Sequence, residues 1–240
     1  MYFSKPLAIT HDIMYNYSMK NFVFDFYNTL VDIRTDEHSA DSWQGVAGFF
    51  SVRGVEVDPQ RLIELYDECW ASYLQDLKET SKYAYPEGDI TEVYKRMAIT
   101  LGVALSDKEA ATCAQIARRD SMRKFCLFDG TIELLKTLKR TSKLYLLSNA
   151  QSVFTMDEIN SLGIADLFDG IMLSSDYGCR KPDKAFFDCL FKKYGLKRRD
   201  TVMVGDDIES DGKGATAYGL RYVYAGGGAA SHRIEIITLK

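Results

Sequence analysis

The chain has 240 residues, a formal net charge of −4 and a sequence pI near 5.5. With 46% apolar and 27% charged residues it has the makeup of a folded globular protein, which excludes wholesale disorder. The acidic balance and the lack of a Lys/Arg run argue against a nucleic-acid partner, and no stretch approaches the ~20 apolar residues of a membrane span.

Residues 1–18 contain Pro6 and Asn16 and lack the basic start and apolar run of a signal peptide, so they are expected to form an N-terminal arm. Residues 21–26 (Asn-Phe-Val-Phe-Asp-Phe) form a short apolar and aromatic run that suits a buried strand. From about 36 to 127 the pattern is mostly helical. Asp58-Pro59 opens one helix, whose apolar positions Leu62, Leu65, Tyr66, Cys69, Trp70, Tyr73 and Leu77 keep helical spacing. Tyr66, Trp70 and Tyr73 are therefore expected to pack. Further helices are expected over 87–101 and 106–124, the second with Ser106 and Glu109 as a capping box.

After residue 128 strands and helices alternate. Helices are expected at 131–140, 151–162, 183–194 and 208–218, and strands at 143–147, 170–174, 201–205 and 221–225. Alternation of this kind implies βαβ units. The expected fold is α/β: a Rossmann-like, doubly wound parallel sheet with an inserted α-helical cap. The core would comprise 19–35 and 128–240 and the cap 36–127. Gly226-Gly227-Gly228 reads as a flexible stretch, and Lys192, Lys193, Lys197, Arg198 and Arg199 as a solvated helix end. Five cysteines without a Cys-x-x-Cys pair suggest free thiols in a reducing cytoplasm, and His11, His38 and His232 are too scattered for a zinc site.

In parallel sheets, functional groups gather at the carboxyl ends of the strands. Asp25, Tyr27, Asn28 and Thr29 follow the first strand, and Ser148 and Asn149 the second. Arg180-Lys181-Pro182 lies after the third, and Asp206, Asp207 and Asp211 after the fourth. Each alone has a plain reading as a turn or cap residue. Together they describe clustered carboxylates that need a counter-charge, an ammonium, and a hydroxyl donor for an anionic oxygen. Mg²⁺ takes such oxygen ligands, so the set reads as a phosphoryl-transfer site.

These segments resemble the four motifs of the haloacid dehalogenase superfamily, which consists mostly of phosphatases. Asp25-Phe26-Tyr27-Asn28-Thr29-Leu30 is similar to the first, Leu147-Ser148-Asn149 to the second, Arg180-Lys181-Pro182-Asp183 to the third, and Val204-Gly205-Asp206-Asp207-Ile208-Glu209-Ser210-Asp211 to the fourth. The resemblance covers residues 21 to about 228. It implies that Asp25 attacks phosphorus to form an aspartyl-phosphate. It implies Mg²⁺ bound by the Asp25 carboxylate, the main-chain carbonyl of Tyr27 and Asp206, with Asp207 or Asp211 orienting the metal's waters. Ser148 and Lys181 would bind phosphoryl oxygens, Lys181 would also hold Asp25, and Asn28, Thr29 and Asn149 would complete substrate binding. The substrate would be a small phosphorylated molecule under a closing cap.

Family phosphatases carry an acid–base Asp two residues after the nucleophile, and here that residue is Tyr27. A phenol, with an ordinary pKa near 10, is a poor base, and general acid–base help is worth roughly 10²–10⁴-fold. Tyrosine at this position resembles the metal-independent 2-haloacid dehalogenases, whereas the carboxylate-rich fourth motif resembles the phosphatases. A weakly active regulatory or binding protein of the same fold is a further alternative. Tyr27 could also simply pack under the cap while only its carbonyl serves the metal. Arg53 could face the site from the cap.

Overall fold

The computed structural model describes residues 19–225; the expected N-terminal arm and the triple-glycine stretch lie outside the described residues. The chain enters through β1 (Asn21–Phe24) and β2 (Val31–Thr35), then forms α1 (Gln44–Ser51), α2 (Pro59–Thr80), α3 (Ile90–Thr100) and α4 (Asp107–Ser121). It returns through β3 (Met122–Leu127) and continues as α5 (Thr131–Lys139), β4 (Lys143–Ser148), α6 (Ser152–Ser161), β5 (Gly170–Leu173), α7 (Lys184–Tyr194), β6 (Thr201–Gly205), α8 (Gly214–Tyr218) and β7 (Arg221–Tyr224).

Five strands form one parallel sheet in the order β5-β4-β1-β6-β7. The chain winds outward from β1 through β4 to β5, then crosses back and winds outward again through β6 and β7. The direction therefore reverses between β1 and β6. Such a switch point opens a crevice at the carboxyl ends of the strands.

Side chains alternate across the sheet, and both faces are apolar, as a parallel sheet covered by helices requires. Phe22, Phe24, Leu144 and Leu146 pack with Leu135 and Leu138 of α5 and Ile159 of α6. Val23, Tyr145, Leu147 and Met203 pack with Phe186, Phe187 and Leu190 of α7 and with Ala215 and Tyr218 of α8. The helical insertion has its own apolar cluster, in which Trp43, Phe50, Leu62, Leu65, Tyr94 and Met97 are buried, and Tyr66, Trp70 and Tyr73 pack against it as their spacing predicts. Asp58 and Asp89 cap α2 and α3, and Ser106 and Glu109 form the expected capping box on α4.

Three local expectations are revised. The pattern over 106–124 reads as one helix, but the chain leaves it at Ser121 and pairs Met122–Leu127 antiparallel to β2. Val31 lies opposite Leu127, and the Lys124 ammonium meets the Asp32 carboxylate, so long-range pairing overrides local helical pattern. The helix expected over 87–101 starts later, at Ile90, because residues 81–89 run along the core instead. The helix expected over 208–218 opens with a wide π turn over Ile208–Lys213, a form that often marks functional sites. Helix α1 falls in a stretch where no separate element was expected.

Candidate active site

Asp25 follows β1 directly, and its amide donates to the Val204 carbonyl at 2.9 Å. The chain then turns sharply. Asn28 takes a left-handed conformation, φ 58°, which asparagine tolerates well. The amides of Leu30 and Val31 both bond back to Phe26 O. This loop returns Thr29 to the next strand, where its hydroxyl donates to Asp206 Oδ1 at 3.0 Å. Gly205 ends β6 and must be small: a Cβ there would lie 2.0 Å from Asp211 Oδ2. The π turn carries Asp211 back beneath the strand end, where it is fully buried.

Lys181 joins the carboxylates. Its Nζ donates to Asp25 Oδ1 and Asp211 Oδ1, both at 2.6 Å, and its side chain is 1% exposed. Asn149 holds the Lys181 main chain from both sides, accepting from its amide at 2.8 Å and donating to its carbonyl at 3.0 Å. Asn149 therefore positions the lysine. Ser148 is buried at the end of β4.

Asp25, Asp206 and Asp211 each present a carboxylate oxygen within 4.8 Å of the others. Two such charges ~4 Å apart repel by about 4 kcal/mol at an effective dielectric of 20. One ammonium among three carboxylates leaves negative charge in excess. Burial, then the charge of Asp25, raises the Asp206 pKa. Burial also raises Asp211, to about 7, against the pull of Lys181. Burial opposes the Lys181 charge, but Asp211 and Asp25 outweigh it and hold its pKa above the usual lysine value. An all-oxygen donor set with this excess charge fits a hard divalent cation.

Asp207 stands apart from this group. Its carboxylate accepts from the Glu209 amide at 2.8 Å and the Ser210 hydroxyl at 2.9 Å, capping the π turn. Burial works against its charge, but these donors hold its pKa below the ordinary value. Arg53 also stays away: it pairs with Glu109 at 2.9 Å and stacks on Phe49, all within the helical insertion.

The Tyr27 side chain turns from the carboxylates toward α6. Its hydroxyl donates to Glu158 Oε2 at 2.6 Å and lies 2.9 Å from the Thr155 hydroxyl. Glu158 also accepts from Arg118 of α4, Nε at 2.6 Å and Nη2 at 3.2 Å. The Arg118 guanidinium lies 5.2 Å from the Tyr27 ring centre. Burial pushes the Tyr27 phenol above its ordinary pKa, so it keeps its proton at neutral pH. Tyr27 is thus built into a contact between the sheet domain and the helical insertion.

A family model described as "Hydrolase: haloacid dehalogenase-like hydrolase" matches residues 19–219. The chain belongs to the haloacid dehalogenase-like hydrolases. Among relatives of this family, the HAD-hydrolase YfnB of Bacillus subtilis is 28% identical over 57% of this chain and 60% of its own. A glyceraldehyde 3-phosphate phosphatase of Methanocaldococcus jannaschii is 34% identical over 39% of this chain and 41% of its own. The matches thus span about half the length of these relatives. The solved structure of YfnB, bound to magnesium, superposes with a TM-score of 0.52 at 19% identity, covering 86% of this chain and 88% of that one. A 2-haloacid dehalogenase of Pseudomonas syringae superposes with a TM-score of 0.60 at 19% identity, covering 90% and 91%. At such identities these two structures show the shared fold alone.

Sequence reasoning missed Arg118, Thr155 and Glu158, because charged and polar residues on helices read as solvated faces. It also missed residues 81–89 as a tether. The Glu87 amide donates to Gly178 O, Glu87 Oε2 accepts from Ser174, and Gln151 donates to the Gly88 carbonyl. Glu87 is half-buried, and the loss of water around it raises its pKa even though Ser174 and Arg180 favour its charge. The Glu87-Gly88-Asp89 stretch offers no local signal of this role.

Proposed function

We propose that this hydrolase is a Mg²⁺-dependent phosphatase of small phosphorylated molecules, with Asp25 as nucleophile. The observation that carries the reading is the Asp25–Asp206–Asp211 group bridged by the Lys181 ammonium. An Asp25 oxygen attacks phosphorus, the bond to the ester oxygen breaks, and the phosphoryl group is left on the carboxylate. Water then attacks that phosphorus and releases phosphate, returning the carboxylate. Asp25, Asp206 and Asp211, with the Tyr27 carbonyl, would hold Mg²⁺, which when bound would supply positive charge against the phosphoryl oxygens. Lys181 neutralises charge on Asp25 and, with Ser148, binds phosphoryl oxygens. Thr29 orients Asp206, Asn149 fixes Lys181, and Asp207 shapes the turn that delivers Asp211. The helical insertion acts as the cap that shields the reaction from water.

The Tyr27 phenol is committed to Glu158, so the leaving alkoxide takes its proton from elsewhere, and turnover of unactivated esters is slow. Five free thiols and the lack, among the described residues, of a helix long and apolar enough to cross a membrane accord with work in the cytoplasm.

The deciding experiment measures phosphate released from para-nitrophenyl phosphate with and without Mg²⁺, in wild type and Asp25→Asn. Mg²⁺-stimulated release that the variant lacks supports the reading. Metal-independent chloride release from 2-chloropropionate, with no phosphate release, replaces it with dehalogenation, the second reading that Tyr27 favours.

A further inference from the structure

The geometry points to a second anion-binding subsite beside the reaction centre, in the cleft between the 81–89 loop and the turn carrying Arg180 and Lys184. The substrate it fits carries a carboxylate or a second phosphate besides the phosphate that is cleaved; the inference rests on the phosphatase reading above. The cleft measures about 650 Å³, the size of a small-molecule site. It adjoins the centre: Lys181 and Asn149 line it, and the buried Lys181 Nζ bonds Asp25 on the inner side.

Its charges can be assigned one by one. Lys181 is used by Asp25 and Asp211. Lys213 pairs with Glu209. Asp207 caps the π turn, and Asp183 accepts from the amides of Ala185 and Tyr85. Arg180 and Lys184 remain: both are exposed, and neither makes a side-chain hydrogen bond or ion pair among the described residues. Arg180 acts on Glu87 only through its field.

The mouth of the cleft is rigid. Tyr85, 46% exposed, forms the opposite rim. Its amide donates to Asp183 Oδ2 and its carbonyl accepts from the Arg180 amide, each at 3.0 Å. The two rims are thus tied by one main-chain bond and one bond to the Asp183 side chain, and the two cations sit on this turn next to the lysine that touches the nucleophile. A guanidinium fork matches a planar carboxylate or a phosphate in bidentate fashion, and a nearby ammonium adds a point charge.

The test compares kcat/KM, by phosphate release with Mg²⁺ present, on two matched pairs: glycerol 2-phosphate against 2-phosphoglycerate, and fructose 6-phosphate against fructose 1,6-bisphosphate. Wild type should prefer the more anionic member of at least one pair by about tenfold or more, a difference of about 1.4 kcal/mol. The ratio should fall about tenfold in an Arg180→Ala/Lys184→Ala double variant, and Arg180→Lys should restore part of it. A ratio near one in wild type for both pairs, or one unmoved by the double variant, overturns the subsite and leaves the phosphatase reading standing. Absence of phosphate release from all four compounds and from para-nitrophenyl phosphate overturns both.

Discussion

Removing Arg118 should do more damage than removing Arg118 and Glu158 together. The pair is buried, at 13% and 9% side-chain exposure, and the two bonds from arginine to carboxylate span the helical insertion and the sheet domain. In Arg118→Met the Glu158 carboxylate keeps only Tyr27 as donor, with Thr155 beside it, and stays buried. Breaking one partner of such a pair costs about 3–5 kcal/mol. In Arg118→Met/Glu158→Leu no charge is stranded, and apolar groups of similar volume often replace a buried pair at little cost. The double variant still leaves the Tyr27 hydroxyl with Thr155 alone, a loss of about 1–3 kcal/mol. It should therefore be about 2 kcal/mol more stable than the single variant. Urea unfolding reads this directly, and the protein supplies its own probes. Both tryptophans, Trp43 and Trp70, lie in the insertion, so fluorescence follows that block while circular dichroism follows the whole chain. In Arg118→Met the fluorescence transition should move to lower urea than the circular dichroism transition. A single-variant loss under about 1 kcal/mol, or a double variant as unstable as the sum of its parts, would refute the reasoning.

Asp169 accepts from Lys139 at 2.7 Å, Lys143 at 2.8 Å and the Leu144 amide at 2.9 Å; burial works against its charge, yet these donors lower its pKa from 3.8 to about 2. A depressed carboxylate stabilises the fold above its unfolded pKa and loses that effect as pH falls through the folded value. Asp169→Asn should thus cost about 1–2 kcal/mol at pH 7, after solvent screening of the exposed Lys143, and a denaturation series should show the gap closing between about pH 4 and pH 2. Gly205→Ala would set a methyl 2.0 Å from Asp211 Oδ2. It should cut phosphate release by about 100-fold or more, through a displacement of Asp211 costing about 2.7 kcal/mol, and wild-type rates in that variant would sink the packing argument. Mg²⁺ at ~100 times its dissociation constant should stabilise the wild type by about 2.7 kcal/mol. Thermal melts should show that shift lost in Asp206→Asn; an equal shift in the variant would remove Asp206 from the metal site.

The sheet was legible because its strands are short apolar runs buried on both faces, and such runs announce themselves without reference to partners. Phe22-Val23-Phe24 and Val202-Met203-Val204 are of this kind. Asp25, Lys181, Asp206 and Asp211 were legible for a related reason: a parallel sheet gathers the segments at its strand ends on one rim, so chain order stands in for distance. What local pattern cannot carry is a contact between distant segments. Met122–Leu127 becomes a strand only because Val31–Thr35 lies beside it. Glu158 meets Tyr27, 131 positions away, and Arg118 of α4, 40 positions away, only in the fold.

Tyr27 shows how a single position can be legible in one respect and hidden in another. Its identity marks the absence of a carboxylate two residues after the nucleophile, and the sequence alone reveals that. Its hydroxyl points to Glu158, away from the carboxylate group, and only the fold reveals that. The distinction bears on engineering. An aspartate placed at 27 would face Glu158 unless its shorter side chain turned back toward Asp25, and it would remove the phenol that helps hold the insertion. Two carboxylates sharing Arg118 would raise the pKa of one of them. Tyr27→Asp therefore gains an acid–base group only at the expense of the interdomain contact. Its effect on rate is then expected to be larger when Glu158 is changed to Gln in the same chain, because that substitution removes the competing charge and relieves the repulsion within the interdomain contact. A larger rate gain from Tyr27→Asp in the wild-type background than in Glu158→Gln would show that the two side chains do not compete.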